Sequence, residues 1–186
     1  MIGCVILVSA FVEVTGQNCK PDQSVNDKFT RQRYDLYNYD LKGTWNILFN
    51  TTTNAVFSFA VKSDTQLVAV LTFRQSAAKS QKELNPLKIS KGAEFYLAND
   101  AASVKLICDV DAVAKNKTDI LNGNINQTLT AEFSLPITDL ETFSKQVFDQ
   151  VLITFDGMPG QKANIKKKDA AKMQTDALCL LAKFKK

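Results

Sequence analysis

Eight residues past the middle of the chain, Thr128 to Leu135, alternate strictly between polar and apolar. Leu129, Ala131, Phe133 and Leu135 face one way, and Thr130, Glu132 and Ser134 face the other. A period of two belongs to a β-strand, whose successive side chains point to opposite faces of a sheet. A strand with one apolar and one polar face fits an antiparallel sheet that is wet on one side. The same period recurs upstream. Trp45, Ile47 and Phe49 alternate with Asn46, Leu48 and Asn50, and Phe57, Phe59 and Val61 alternate with Ser58 and Ala60. Gln66 to Phe73 (QLVAVLTF) is apolar on both faces, which predicts a strand covered on both sides. The link between these last two runs, Lys62 to Thr65 (KSDT), reads as a hairpin turn. Glu94 to Ala98 makes a short strand, and Ser103 to Val113 places Val104, Leu106, Cys108 and Val110 on one face. Asn122-Gly123 is a strong turn dipeptide.

Three stretches carry helical spacing instead. Tyr34, Tyr37 and Leu41 stand at i, i+3 and i+7, which predicts a short helix from about Thr30 to Leu41, with Gly43 as its C-terminal cap. Thr138 and Glu141 form a T-x-x-E capping box ahead of Leu140, Phe143, Val147 and Val151, so a capped helix is expected near 138–149. Val151 to Phe155 then reads as a strand stopped by Asp156-Gly157. At the end of the chain Ala170, Met173, Ala177, Leu181 and Phe184 align on one face of a C-terminal helix with a strand-like end. The fold class that follows is α+β and mostly antiparallel β, a barrel-like or strongly bent sheet of about eight strands with two late helices.

The first sixteen residues differ from the rest. Ile2 to Val12 holds no charge and is too short to span a bilayer. It has the form of a secretory signal peptide, residues 1–16, with cleavage before Gln17. The expected organisation is then a loose polar lead-in at 17–29 and a single globular domain at 30–186, exported to the extracellular space. No later stretch is apolar enough to cross a membrane. Export makes the cysteines candidates for a disulfide bond. Cys4 leaves with the signal, and Cys19, Cys108 and Cys179 remain. Cys108 and Cys179 both sit in apolar runs and are the preferred pair. Cys19 lies in polar NCKPDQ, and is left to pair with Cys179 instead or with a second chain as a disulfide dimer. Asn50 (NTT), Asn116 (NKT) and Asn126 (NQT) are glycan acceptors by sequence, which would make the secreted chain a glycoprotein.

Composition removes several chemistries. The chain has 186 residues, 45% of them apolar and 23% charged, as a folded globule does. Its net charge of +4 is mild and demands no nucleic-acid partner. It has no histidine, so neither a Ser-His-Asp nor a Cys-His mechanism is available, and a zinc site of the usual ligands is not expected. Ser76-Ala77-Ala78-Lys79 reads S-x-x-K but has no companion motif, and is expected to be a solvated loop. Asp109 and Asp111 lie on the face opposite the apolar one and are read as solvated carboxylates rather than an acid–base pair. Lys162, Lys166, Lys167, Lys168 and Lys172 form a basic cluster without interleaved aromatics, which fits a solvated lead-in to a helix better than a surface for stacked bases. The expectation is a protein that is not an enzyme and takes no cofactor and no metal.

One short stretch points further. In LKGTWNILFN, Gly43, Thr44 and Trp45 match a G-x-W pattern at the start of a strand. The chain resembles the lipocalins there, secreted β-barrels that carry small apolar ligands. The resemblance implies an eight-stranded barrel closed at its floor by Trp45. Ligand binding would then fall to an interior lined by Trp45, Ile47, Phe57, Phe59, Leu71, Phe73, Leu129 and Phe133. The other expectation keeps the same residues as a solid core, in an extracellular interaction module that meets a protein or glycan with its surface. A carrier needs a cavity of several hundred cubic ångströms, and a module needs none.

Overall fold

A computed structural model describes residues 19–26, 33–43, 51–77, 86–119 and 123–185. The hairpin expected at Lys62 to Thr65 lies at its centre. In chain order the elements are β1 (Gln23–Asn26), β2 (Arg33–Lys42), β3 (Thr51–Lys62), β4 (Gln66–Ala77), β5 (Lys88–Ile89), β6 (Glu94–Ala98) and β7 (Ser103–Ile107). They continue with β8 (Ala112–Val113), β9 (Lys115–Thr118), β10 (Ile125–Ser134), α1 (Ile137–Lys145), β11 (Gln150–Ile153), β12 (Gln161–Ile165) and α2 (Lys167–Phe184). The fold is thus mostly antiparallel β with two helices, one of them C-terminal.

β3 and β4 pair from Thr51 opposite Ala77 to Lys62 opposite Gln66. Ser63 and Asp64 turn the chain with φ of 48° and 61°. Two successive left-handed residues give the mirror-image turn whose twist matches that of the strands. Further pairings extend the sheet to the order β7-β6-β11-β12-β2-β3-β4-β10-β9, with β1 added on β2. β5 and β8 form a separate two-stranded sheet. Along β3 and β4 the inward residues Ala55, Phe57, Phe59, Ala69, Leu71 and Phe73 are fully buried. The opposite face is not wet either. Ala60, Val68 and Val70 form a second small buried cluster with half-buried Leu36, as a strand apolar on both sides requires.

Three expectations change. The first helix does not exist among the described residues. Arg33–Lys42 is a strand, paired with β3 from Tyr34 opposite Lys62 to Leu41 opposite Ala55. Tyr34, Tyr37 and Leu41 satisfy a helical spacing, but Asp35, Tyr37, Tyr39 and Leu41 also alternate, and those four are the buried ones. Pairing along a whole strand overrides a local preference worth tenths of a kcal/mol per residue. The long strand expected at Ser103 to Val113 stops at Ile107, and Val110 is 58% exposed because the chain turns there towards β8. Helix α1 begins one residue early, at Ile137. Pro136 precedes it with no side-chain cap, so Thr138 and Glu141 make no capping box. Glu141 binds Lys185 at 2.5 Å instead, joining α1 to the end of α2. The C-terminal helix is as expected, with Ala170, Met173, Ala177 and Leu181 buried and Phe184 packed partly against the core. No helix among the described residues is long and apolar enough to cross a membrane.

Gly43 therefore ends a strand rather than a helix. A Cβ there would stand 2.9 Å from the Ala163 Cβ and 3.0 Å from the Lys162 carbonyl oxygen, where β12 crosses the end of β2. Gly43→Ala is expected to destabilise the fold by about 1–3 kcal/mol through overpacking, read as a lower urea midpoint with an unchanged slope.

Candidate functional site

The interior expected to line a ligand cavity is filled by aromatic rings. Six of its eight predicted residues are described, namely Phe57, Phe59, Leu71, Phe73, Leu129 and Phe133, and each is at most 1% exposed. Trp45 and Ile47 lie outside the described residues, as does Thr44 of the G-x-W pattern. The Phe57 ring centre is 5.7 Å from that of Phe59 and 5.3 Å from that of Phe95. Phe95 in turn is 5.4 Å from Phe133, Phe59 is 5.3 Å from Phe143, and Phe73 is 5.2 Å from Phe155. These are ordinary packing distances for aromatic pairs. The most prominent hollows, about 830, 400, 290, 280 and 240 Å³ in volume, open at the surface, and none of the six residues lines them.

At one end of this interior runs a polar row. Thr53, Gln75, Gln127 and Asn116 stand opposite one another across β3, β4, β10 and β9. Gln127 is buried but satisfied. Its carboxamide oxygen accepts from the Leu87 N–H at 3.4 Å, and its nitrogen donates to Asn116 Oδ1 at 2.9 Å. Gln75 is 2% exposed, and among the described residues neither polar atom of its side chain has a hydrogen-bond partner. A buried unsatisfied polar group costs about 1–3 kcal/mol. Both atoms have almost no accessible surface.

The second polar centre lies where α2 crosses β2. The Tyr39 hydroxyl donates to Asp176 at 3.0 Å. Lys172 binds Asp22 at 2.6 Å and Asp176 at 3.1 Å, with its ammonium 4.9 Å from the centre of the Tyr39 ring. Burial raises the pKa of Tyr39 well above the usual phenol value, and the Asp176 charge adds to it. Burial, with the Asp35 charge, pushes Tyr37 up to about 12. Burial alone would depress Lys172, but the bonds to Asp22 and Asp176 outweigh it and its pKa is raised. Asp176 is raised by burial against the opposing pull of Lys172. Next to this centre Cys19 and Cys179 form a disulfide with Cα atoms 5.7 Å apart. The expected Cys108–Cys179 bond is thereby corrected: Cys108 is a free, buried thiol whose Sγ lies 3.1 Å from the Val110 carbonyl oxygen. Cys179 is on a face of α2 turned towards the N-terminal segment, and the polarity of the sequence around Cys19 gave no sign of it. The lead-in is not loose where it is described, since residues 23–26 form β1 on β2.

The remaining candidates disperse. Asp109 accepts a hydrogen bond from Ser134, whereas Asp111 accepts from the Lys91 N–H at 2.7 Å, so the two do not share a site. In the basic cluster Lys166 pairs with Asp40 at 2.5 Å and Lys172 lies in the polar centre, while Lys162, Lys167 and Lys168 are exposed. Asn116 and Asn126 are exposed on neighbouring strands; Asn50 lies outside the described residues. Ser76 and Ala77 are the last two residues of strand β4 rather than part of a solvated loop, and Lys79 also lies outside the described residues. Among the described residues no group of three or more His, Cys, Asp or Glu is arranged to hold a metal ion. The Tyr39–Lys172–Asp176 centre was missed by sequence reasoning, and its only trace there is the i, i+4 spacing of Lys172 and Asp176. Compared with protein-family models, with curated proteins and with solved structures, the chain matches none.

Two outcomes follow from these centres. Replacing Gln75 by Met removes an unpaired amide at similar volume, so Gln75→Met should raise stability by about 1–2 kcal/mol in urea unfolding. For the second centre, a raised folded-state pKa stabilises the protonated form. The contribution of Tyr37, Tyr39 and Lys172 is complete below their ordinary values of 10.0 to 10.5 and is lost as pH climbs beyond them. The thermal midpoint should stay level through neutral pH and fall above pH 10, and Tyr39→Phe should make that fall shallower.

Proposed function

We propose that this chain is a secreted, non-enzymatic binding protein with a solid core, an extracellular interaction module that meets a protein or glycan partner through its surface. The observation that carries the reading is the interior. Among the described residues that would have faced a ligand, Phe57, Phe59, Phe73 and Phe133 are packed ring against ring instead. The Cys19–Cys179 disulfide suits an oxidising compartment, and exposed Asn116 and Asn126 suit glycan attachment. The outer groove over β2 to β4, about 240 Å³ with Leu36, Val56 and Val70 among its lining and Asn38, Asp40 and Arg74 beside them, is the concave surface this reading offers a partner.

We read the sheet as a closed barrel, which takes the shape but not the cargo implied by the lipocalin resemblance. Support comes from an antiparallel bridge between Cys108 and Phe133 and from the Asp109 N–H donating to the Glu132 carbonyl at 3.0 Å. These contacts join the strand end after β7 to β10, two members from opposite ends of the sheet order. In this reading β4 neighbours β10 rather than the next strand in sequence, so the barrel is not a simple up-and-down meander.

Phe59→Ala separates the two readings. A residue in a solid core should cost about 3–5 kcal/mol when truncated, measured by urea unfolding, whereas a residue lining an open cavity should cost far less. Native and denatured masses of protein secreted from eukaryotic cells should also agree. An excess of a few hundred daltons lost on denaturation would mean a bound ligand and would overturn the reading.

A further inference from the structure

Among the described residues, the N-terminal segment meets the sheet along one edge of β2. β3 takes one edge of β2 over residues 34–41. The opposite edge is shared. β12 pairs with it at Leu41 and Lys42 alone, and β1 pairs with it from Arg33 to Leu36. Between them, the Asp22 N–H donates to the Leu36 carbonyl at 2.9 Å, and the Asp22 carboxylate accepts from the Asn38 N–H at 2.7 Å. β1 thus fills most of a seam that β12 leaves open.

What holds β1 there is almost entirely peripheral. Gln23, Ser24 and Asn26 are exposed and Val25 is half-buried. The Ser24 hydroxyl donates to Asp35 at 2.6 Å, and Lys172 reaches Asp22. Of residues 19–26 only Cys19 packs against the main core, as a half-buried residue. A four-residue strand that buries no side chain is marginal on its own. The disulfide to buried Cys179 keeps it at high effective concentration beside β2.

We propose that the Cys19–Cys179 disulfide is a redox latch on the β2 edge, and that reducing it frees β1 while the aromatic interior and the β3–β4 hairpin stay folded. The inference goes beyond the surface-binding reading and does not depend on it. A dithiol reductant attacks one sulfur, and the protein S–S bond breaks as a mixed disulfide forms. The second thiol of the reductant then closes its own disulfide and releases the protein, so two electrons and two protons pass to Cys19 and Cys179. The edge left behind, residues 33–38, presents unpaired N–H and C=O groups to which an extended strand can add.

Hydrogen–deuterium exchange with mass spectrometry tests this on the full secreted chain, oxidised, treated with dithiothreitol, and as Cys19→Ser. The expected result is exchange faster by about an order of magnitude in peptides covering 33–40, with peptides from 66–77 unchanged. A rise that is equal in both regions would show that the disulfide holds the whole fold and would overturn the latch. No rise in 33–40, in either the reduced protein or the variant, would show that β1 holds without the bond and would overturn it as well. If Cys19→Ser does not fold, the reduced wild-type protein alone decides between these outcomes.

Discussion

Phe57 is the side chain that the rest of the structure is arranged around. Its ring meets Tyr39 from β2, Phe59 from its own strand and Phe95 from β6. In the sheet order β6 stands four strands from β3, and β10 stands six from β6. With strands about 4.8 Å apart, a flat sheet would separate β6 from β3 by roughly 19 Å and from β10 by roughly 29 Å. The ring centres are nonetheless 5.3 Å apart for Phe57–Phe95 and 5.4 Å for Phe95–Phe133. Only a strongly bent sheet brings them together. The aromatic contacts therefore lie on the inner side of that bend.

The helices complete the same core, packing against the inward-facing side chains of the sheet. Phe143 of α1 reaches Phe59, and Phe148 from the segment after α1 packs edge-on against Phe143, so the two extend the aromatic cluster by two rings. α2 meets α1 and β2, and beside the apolar face it buries, it also makes the polar contact of Asp176 with Tyr39. Tyr39 belongs to both regions. Its ring is part of the aromatic interior, and its hydroxyl and face hold Asp176 and Lys172. A residue with an apolar body and a polar tip suits this boundary, and a phenylalanine there would leave Asp176 one hydrogen bond short.

The strands were legible in the sequence where one residue pattern answered one question. The alternation at Thr128 to Leu135 gave β10, the two-faced apolar run gave β4, and KSDT gave the turn between β3 and β4. β2 was misread because its tyrosines fit two periods, and the choice between them is made by pairing with β3, which no local pattern contains. The disulfide was misread for a related reason. The polar surroundings of Cys19 report its exposure and not its neighbour, and Cys179 lies 160 residues away. The pairing of β4 with β10 and the ring contacts across the bend are equally long-range. Of the eight residues predicted to line a cavity, the six described share one interior, so their common face was readable. Whether that face is hollow or filled depends on Phe95, Phe143 and Phe155, which other elements bring in.

The disulfide also changes what a single break in the backbone means. Cys19 and Cys179 span nearly the whole described chain, so everything between them forms one covalent ring. A protease that cuts once inside any connecting loop opens that ring without dividing it, and the two pieces travel as one molecule until the sulfurs are reduced. Two cuts are needed to release a fragment. A first cleavage would therefore leave the strands tethered and free to stay paired.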